Sequence, residues 1–248
     1  MENRSIVKAL FAEFFGTFAL VFTIILVVSM YALQADVARG LTYPFIALAH
    51  FLILFLLIQT VGSVSGGHFN PAVTLGVLSI RRISAANAVA YVLVQLAGAV
   101  VAALLIKALI PDQAEAVKYA STAVSPDIST GAALVLEAIA TFFLVWTVVG
   151  TAVNPDGPKE WAPLAISGAL ALGVLLIAPL TGASINPARS FGPALISGNW
   201  GSATDYLLPY VIGPLAGGVL AALVYSGIYI SEGGPAKRPP APSEQSPL

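Results

Sequence analysis

The chain has 248 residues, of which only 9% are Asp, Glu, Lys or Arg and 58% are hydrophobic, and its mean hydropathy is +0.89. An ordinary globular protein carries roughly 25% charged residues, so too little polar side chain is present to cover a water-facing surface, and the apolar excess must meet lipid. The net charge of -1 gives no basic footprint for nucleic acid, and the absence of cysteine removes disulfides, thiolate metal sites and cysteine nucleophiles.

A helix needs about 20 apolar residues to cross ~30 Å of hydrocarbon. Six stretches qualify, at 10–33, 44–62, 87–110, 130–153, 161–180 and 206–230. An even number of spans leaves both termini on one side. The first stretch outruns the apolar core of a signal peptide, and Ala32-Leu33-Gln34-Ala35 is a poor cleavage site. Arg4, Lys8, Arg81, Arg82, Lys159, Lys237 and Arg238 fall on the side of the termini and outnumber Arg39, Lys107 and Lys118 opposite. That excess predicts cytoplasmic termini and a multi-pass protein of the plasma (cell inner) membrane. Residues 231–248, with Gly233-Gly234-Pro235 and Arg238-Pro239-Pro240, have the composition of a disordered cytoplasmic tail.

Three blocks recur in the same order, about half the chain apart. Leu10 to Phe22 resembles Leu134 to Trp146, setting Glu13 beside Glu137. Ser65 to Thr74 (SGGHFNPAVT) resembles Thr181 to Ser190 (TGASINPARS), setting Asn70 beside Asn186. Tyr91 to Leu104 resembles Tyr210 to Leu223. The organisation predicted is a cytoplasmic N-terminus at 1–9, a first repeat at 10–110, an extracellular connection at 111–129, a second repeat at 130–230 and the tail. Three spans per repeat is an odd number, so the second copy must enter the membrane inverted, an arrangement that favours a transport path.

Between the second and third span of each repeat lies a segment too short to cross, at 71–80 and 187–196. Asn-Pro starts a helix, with Asn as N-cap and Pro at the first position, where no N–H is wasted. Two half-helices therefore enter from opposite faces and meet tip to tip, tolerable at that depth only inside protein or beside a watery cavity. With each cap oxygen used by its own helix, the NH2 groups of Asn70 and Asn186 are left as donors toward the path. Carbonyls of Gly66, Gly67, His68, Gly182, Ala183 and Ser184 supply acceptors on the approaches. Two helix N-termini and Arg189 make the centre positive, so neutral molecules pass and cations, including the hydrated proton, do not. No nucleophile with its base, carboxylate dyad or ligand cluster is present, so no catalytic residue, metal or cofactor is expected.

The Asn-Pro-Ala boxes at Asn70-Pro71-Ala72 and Asn186-Pro187-Ala188, Arg189 after only the second, and Ala12-Glu13-Phe14-Phe15-Gly16-Thr17 together resemble the aquaporin family of major intrinsic proteins over about residues 8 to 230. The resemblance implies an all-α membrane fold of six transmembrane helices and two re-entrant half-helices. It further implies a homotetramer with one water pore per subunit, and Glu13 and Glu137 holding the re-entrant loops. Counting from the boxes places the family's selectivity filter at His50, Val174, Ala183 and Arg189.

A strict water filter in this family has Phe and His where this chain has His50 and Val174. The combination here is similar to that of plant tonoplast intrinsic proteins, which implies an aperture passing water with hydrogen peroxide, ammonia or urea. Glycerol facilitators carry Asp where Ser190 stands, and aromatics at the filter. Val211 stands where many water-selective members have Trp. The competing readings are a glycerol or urea facilitator and, from another class, an inverted-repeat secondary transporter; the latter needs ion ligands, and the spans offer only Glu13, His50, Glu137 and, near an end, Lys107. The stretch from Ile110 to Thr130 is long enough to fold over the mouth.

Overall fold

The computed structural model describes residues 2–32 and 42–230. The expectations for the tail at 231–248 and for Arg39, Lys237 and Arg238 lie outside the described residues. The chain runs α1 (Glu2–Ala32), α2 (Thr42–Ser65), α3 (Pro71–Ser79), α4 (Ala85–Leu109), α5 (Pro111–Ala116), α6 (Thr130–Val148), α7 (Ala162–Thr181), α8 (Pro187–Ser197), α9 (Ala203–Leu207) and α10 (Gly213–Tyr229). A π-helical turn extends α6 to Val153, and another, Leu208–Ile212, joins α9 to α10. Six spans long and apolar enough to cross a bilayer result: Ile6–Tyr31, Thr42–Ser65, Ala85–Leu109, Thr130–Val153, Lys159–Thr181 and Ala203–Tyr229.

The ends of the spans and half-helices shift by a few residues from the sequence reading, and two segments differ in kind. Helix α1 starts at Glu2, so the residues expected as a separate N-terminus form its first turns. The connection at 111–129 is not plain loop: it holds α5 and a 3-10 turn, Lys118–Ala120. Pro111 at the first position of α5 pre-sets the backbone for a helix start.

The two repeats interlock. Helix α1 packs on α2 and α4 as α6 packs on α7 and α10, but each half-helix lies against the last span of the other repeat, α3 on α10 and α8 on α4. Neither repeat can close its core alone. Hydrocarbon supplies no hydrophobic drive between helices, so the backbones must come close enough for dispersion to hold them. Glycine permits this at mirrored places: a Cβ on Gly98 would sit 2.4 Å from the Phe14 carbonyl oxygen, and one on Gly217 2.0 Å from that of Ala138.

Candidate permeation site

The half-helices meet as their caps dictate. Asn70 and Asn186 have extended backbones and accept with Oδ1 from their own first turns, Ala72 N at 2.8 Å and Ala188 N at 3.0 Å, and Pro71 and Pro187 follow. Each side-chain amide then crosses the junction, Asn70 Nδ2 donating to Ile185 O and Asn186 Nδ2 to Phe69 O, both at 2.9 Å. This corrects the expectation that both NH2 groups are wholly left for the path: one N–H of each is used to join the tips, and one remains. Both asparagines line a constriction with a cavity volume of about 20 Å³, room for roughly one water.

Behind each tip a buried carboxylate gathers the approaching loop. Glu13 Oε1 accepts from Ser65 Oγ (2.6 Å) and His68 N (2.9 Å), and its Oε2 from Phe69 N (2.6 Å). Glu137 Oε1 accepts from Thr181 Oγ1 (2.7 Å) and Ser184 N (2.8 Å), and its Oε2 from Ile185 N (2.7 Å). Tyr91 donates to Ser65 O at 2.8 Å and Tyr210 to Thr181 O at 3.0 Å, fixing the same turns from α4 and from the π-helical turn. With their amide N–H groups turned toward these carboxylates and hydroxyls, the loops keep backbone oxygens for the opposite side. Among the described residues no protein donor bonds the carbonyls of Gly66, Gly67, His68, Gly182, Ala183 or Ser184.

Three cavities follow one another along this line. One of about 640 Å³ is lined by Gly66, His68, Tyr91, Arg82 and Lys159. The constriction comes next, sharing Gly67 and His68 with the first. One of about 180 Å³ lies beyond, sharing His50 and Arg189 with the constriction. Val174 and Gly182 line that last cavity with His50 and Arg189, whereas Ala183 is buried beside them. His50 Nδ1 lies 2.8 Å from Ile46 O; a carbonyl only accepts, so in the neutral ring Nδ1 carries the proton and Nε2 offers a lone pair. His68 Nδ1 lies 3.1 Å from Thr74 Oγ1.

Arg189 is 4% exposed and makes no ion pair among the described residues; its Nη1 donates to Ala120 O at 2.7 Å. The connecting stretch thus folds over this mouth. It also donates from Thr122 Oγ1 to Ser190 Oγ (3.0 Å), which donates to Ser184 Oγ (2.6 Å). The sequence reading did not single out Ala120, Gln95, Thr74 or the Tyr91–Tyr210 pair. The tyrosines and Thr74 lie inside the recurring blocks, a signal that was there to use; Ala120 contributes a backbone oxygen, which no side-chain pattern marks.

Six apolar spans and two capped half-helices, meeting around a constriction with room for about one water in an inverted repeat, define a membrane channel. The chain belongs to the major intrinsic protein family, whose model matches residues 1–225. It is 37% identical to the protein named aquaporin TIP4-4 of Zea mays over 239 residues, 94% of this chain and 91% of that one. It is also 37% identical over 211 residues to "glycerol uptake facilitator protein-like 6" of Lactiplantibacillus plantarum, covering 85% of this chain and 93% of the relative. The fold matches the X-ray structure of the aquaglyceroporin from Plasmodium falciparum with a TM-score of 0.72 at 24% identity, over 90% of this chain and 96% of that one. The protein is therefore an integral multi-pass membrane channel and not an enzyme.

Proposed function

We propose that the chain is a passive channel for water that excludes protons and other ions and also passes small neutral solutes such as hydrogen peroxide, ammonia and urea. The observation that carries this reading is the constriction, with about 20 Å³ of space, lined by Asn70 and Asn186, each with one N–H left over from the junction, and by Arg189, whose guanidinium has a carbonyl but no carboxylate partner among the described residues. A water there accepts from the asparagines and finds acceptors on either approach in the loop carbonyls, so it gives up few hydrogen bonds. A cation meets two helix N-termini and a full positive charge while losing hydration worth an idealised penalty on the order of 20 kcal/mol.

His50, Val174, Ala183 and Arg189 act as the filter in this reading, His50 Nε2 as acceptor opposite the Arg189 donors, with the two small aliphatic side chains leaving width. Glu13 and Glu137 hold the loops. A homotetramer with cytoplasmic termini in the plasma membrane completes the proposal. Glycerol is the second reading, favoured by the name of the Lactiplantibacillus relative; against it, Ser190 is occupied with Ser184 and Thr122 and no Phe, Tyr or Trp is among the four filter residues.

Stopped-flow swelling of liposomes holding the purified protein, comparing water, urea, hydrogen peroxide and glycerol, tests the reading. Water flux above empty vesicles and independent of ion gradients is expected. No acceleration would sink it, a gradient dependence would favour the secondary transporter, and glycerol matching water would favour the second reading. Arg189→Val should keep water flux and raise proton leak; an unchanged leak removes the role given to that charge. His50→Phe should lower urea and peroxide passage before water, and equal loss of all three would defeat the size argument.

A further inference from the structure

A second large cavity lies off the permeation line. It is a lateral cleft of about 760 Å³ between α4 and the π-helical turn running into α10, walled by Val92 and Leu96 on one side and Val211 and Leu215 on the other. Its floor is the back of the half-helix junction, Pro71 and Pro187, the first helical residues after the two cap asparagines. Nine residues of α3 reach about 14 Å at 1.5 Å per residue, so that floor lies near the middle of a ~30 Å hydrocarbon layer. Trp200 closes one end, edge-on to Tyr206 at 4.8 Å and to Phe191 at 5.9 Å.

The walls say what can fill this space. The lining side chains are aliphatic, aromatic or proline, and their only polar atoms are the indole nitrogen of Trp200 and the hydroxyl of Tyr206. Water needs two to four polar partners to stay in a cavity, so the cleft does not hold it. An empty cleft of this size would forfeit dispersion along all its walls. Both flanking helices turn large apolar side chains outward beside it, Val89 and Leu93 on α4 and Leu207 and Ile212 around the start of α10, so this face borders hydrocarbon. The volume falls within the roughly 300–1,000 Å³ of ordinary ligand pockets.

We propose that the cleft is a binding site for one hydrocarbon chain of a membrane phospholipid, with Trp200 at the interfacial end and the chain tip against Pro71 and Pro187. The occupied cleft backs the junction from outside the pore, so it couples the lipid to the placement of Asn70 and Asn186. The site rests on the membrane-spanning fold alone and stands or falls apart from the solute reading.

Trp200 reports on it in a Trp146→Phe, Trp161→Phe background, purified without added lipid in detergent and titrated with phosphatidylcholine brominated at mid-chain. Quenching of Trp200 is expected to saturate near one brominated lipid per subunit. Val211→Phe, which fills the cleft from the π-helical turn before α10, should abolish the saturable part and leave only a gradual rise with bulk lipid. Val92→Phe fills it from the opposite wall and gives the same result if the first variant does not fold. Gradual quenching in the parent, or saturation surviving in a folded filled variant, overturns the site. Gradual quenching in the parent combined with dissociation of the filled variants to single subunits would assign the cleft to a second copy of the chain and overturn it equally.

Discussion

The two tips are built from the same parts and differ in three places. In both, a carboxylate takes a hydroxyl and two successive backbone N–H groups, a tyrosine steadies the turn, and a hydroxyl inside the half-helix meets the residue two before the cap, Thr74 with His68 and Ser190 with Ser184. Glu13, however, also accepts from Gln95 Nε2 at 2.8 Å, and the matching place on α10 is Pro214, which has no such donor. Phe69 stands against Gly16, whereas Ile185 stands against Gly173 and Ala140 holds the place that Gly16 takes in the first half. Val73 occupies the place that Arg189 takes in the second half. The shared parts fix backbone geometry, and the unshared ones set size and charge on each side of the junction.

The largest test of that division removes each carboxylate in turn. Glu13→Ala removes an acceptor from four donors and Glu137→Ala from three; Gln95 Nε2 keeps Thr74 Oγ1 and Thr181 Oγ1 keeps Ile177 O, so three and two are left unpaired, each at a cost of about 1–3 kcal/mol when buried. Both variants should lose several kcal/mol of stability, with Glu13→Ala worse by roughly one hydrogen bond. Thermal unfolding in detergent, followed by tryptophan emission, measures it. An equal loss in the two would mean that Gln95 adds nothing to the first tip.

The second test exchanges the size match. A Cβ on Gly16 would lie 2.2 Å from the Phe69 ring, so Gly16→Ala should cost about 1–3 kcal/mol by overpacking. Phe69→Ile alone should cost a similar amount by leaving a cavity. The pair together reproduces the combination found in the second half and should recover at least about 1 kcal/mol relative to the sum of the single changes. Strict additivity in this double-mutant cycle would show that the two halves solved the contact independently.

Much of this was legible before any coordinates. The spans follow from hydrophobic length, the inversion from the parity of the repeat, and the tip-to-tip half-helices from two Asn-Pro steps. Hydrogen-bond accounting was only half legible: the sequence marks Asn70 and Asn186 as caps, but not that each amide reaches across to the other tip, because the partners Ile185 and Phe69 contribute backbone oxygens. The hold on Arg189 was hidden for the same reason. Interlocking of α3 with α10 and α8 with α4 was hidden too, since a repeat read from sequence suggests self-contained units.

The smallest effect concerns the strap over the outer cavity, which has no counterpart in the first half. Lys118, Tyr119 and Ala120 have φ of 51, 54 and 56°, a left-handed run without glycine, and each such residue costs about 1–2 kcal/mol. That conformation aims Ala120 O at Arg189. Ala120→Gly relieves the strain but frees the unfolded chain by about 0.4–1 kcal/mol, so a gain of roughly 0.5 kcal/mol is expected with water flux unchanged. Ala120→Pro demands φ near -65°, cannot keep the turn, and should release Arg189 and raise proton leak as Arg189→Val does, though less. A stabilised glycine variant beside a proline variant with parental leak would mean that the strap is strained for a reason other than holding the guanidinium.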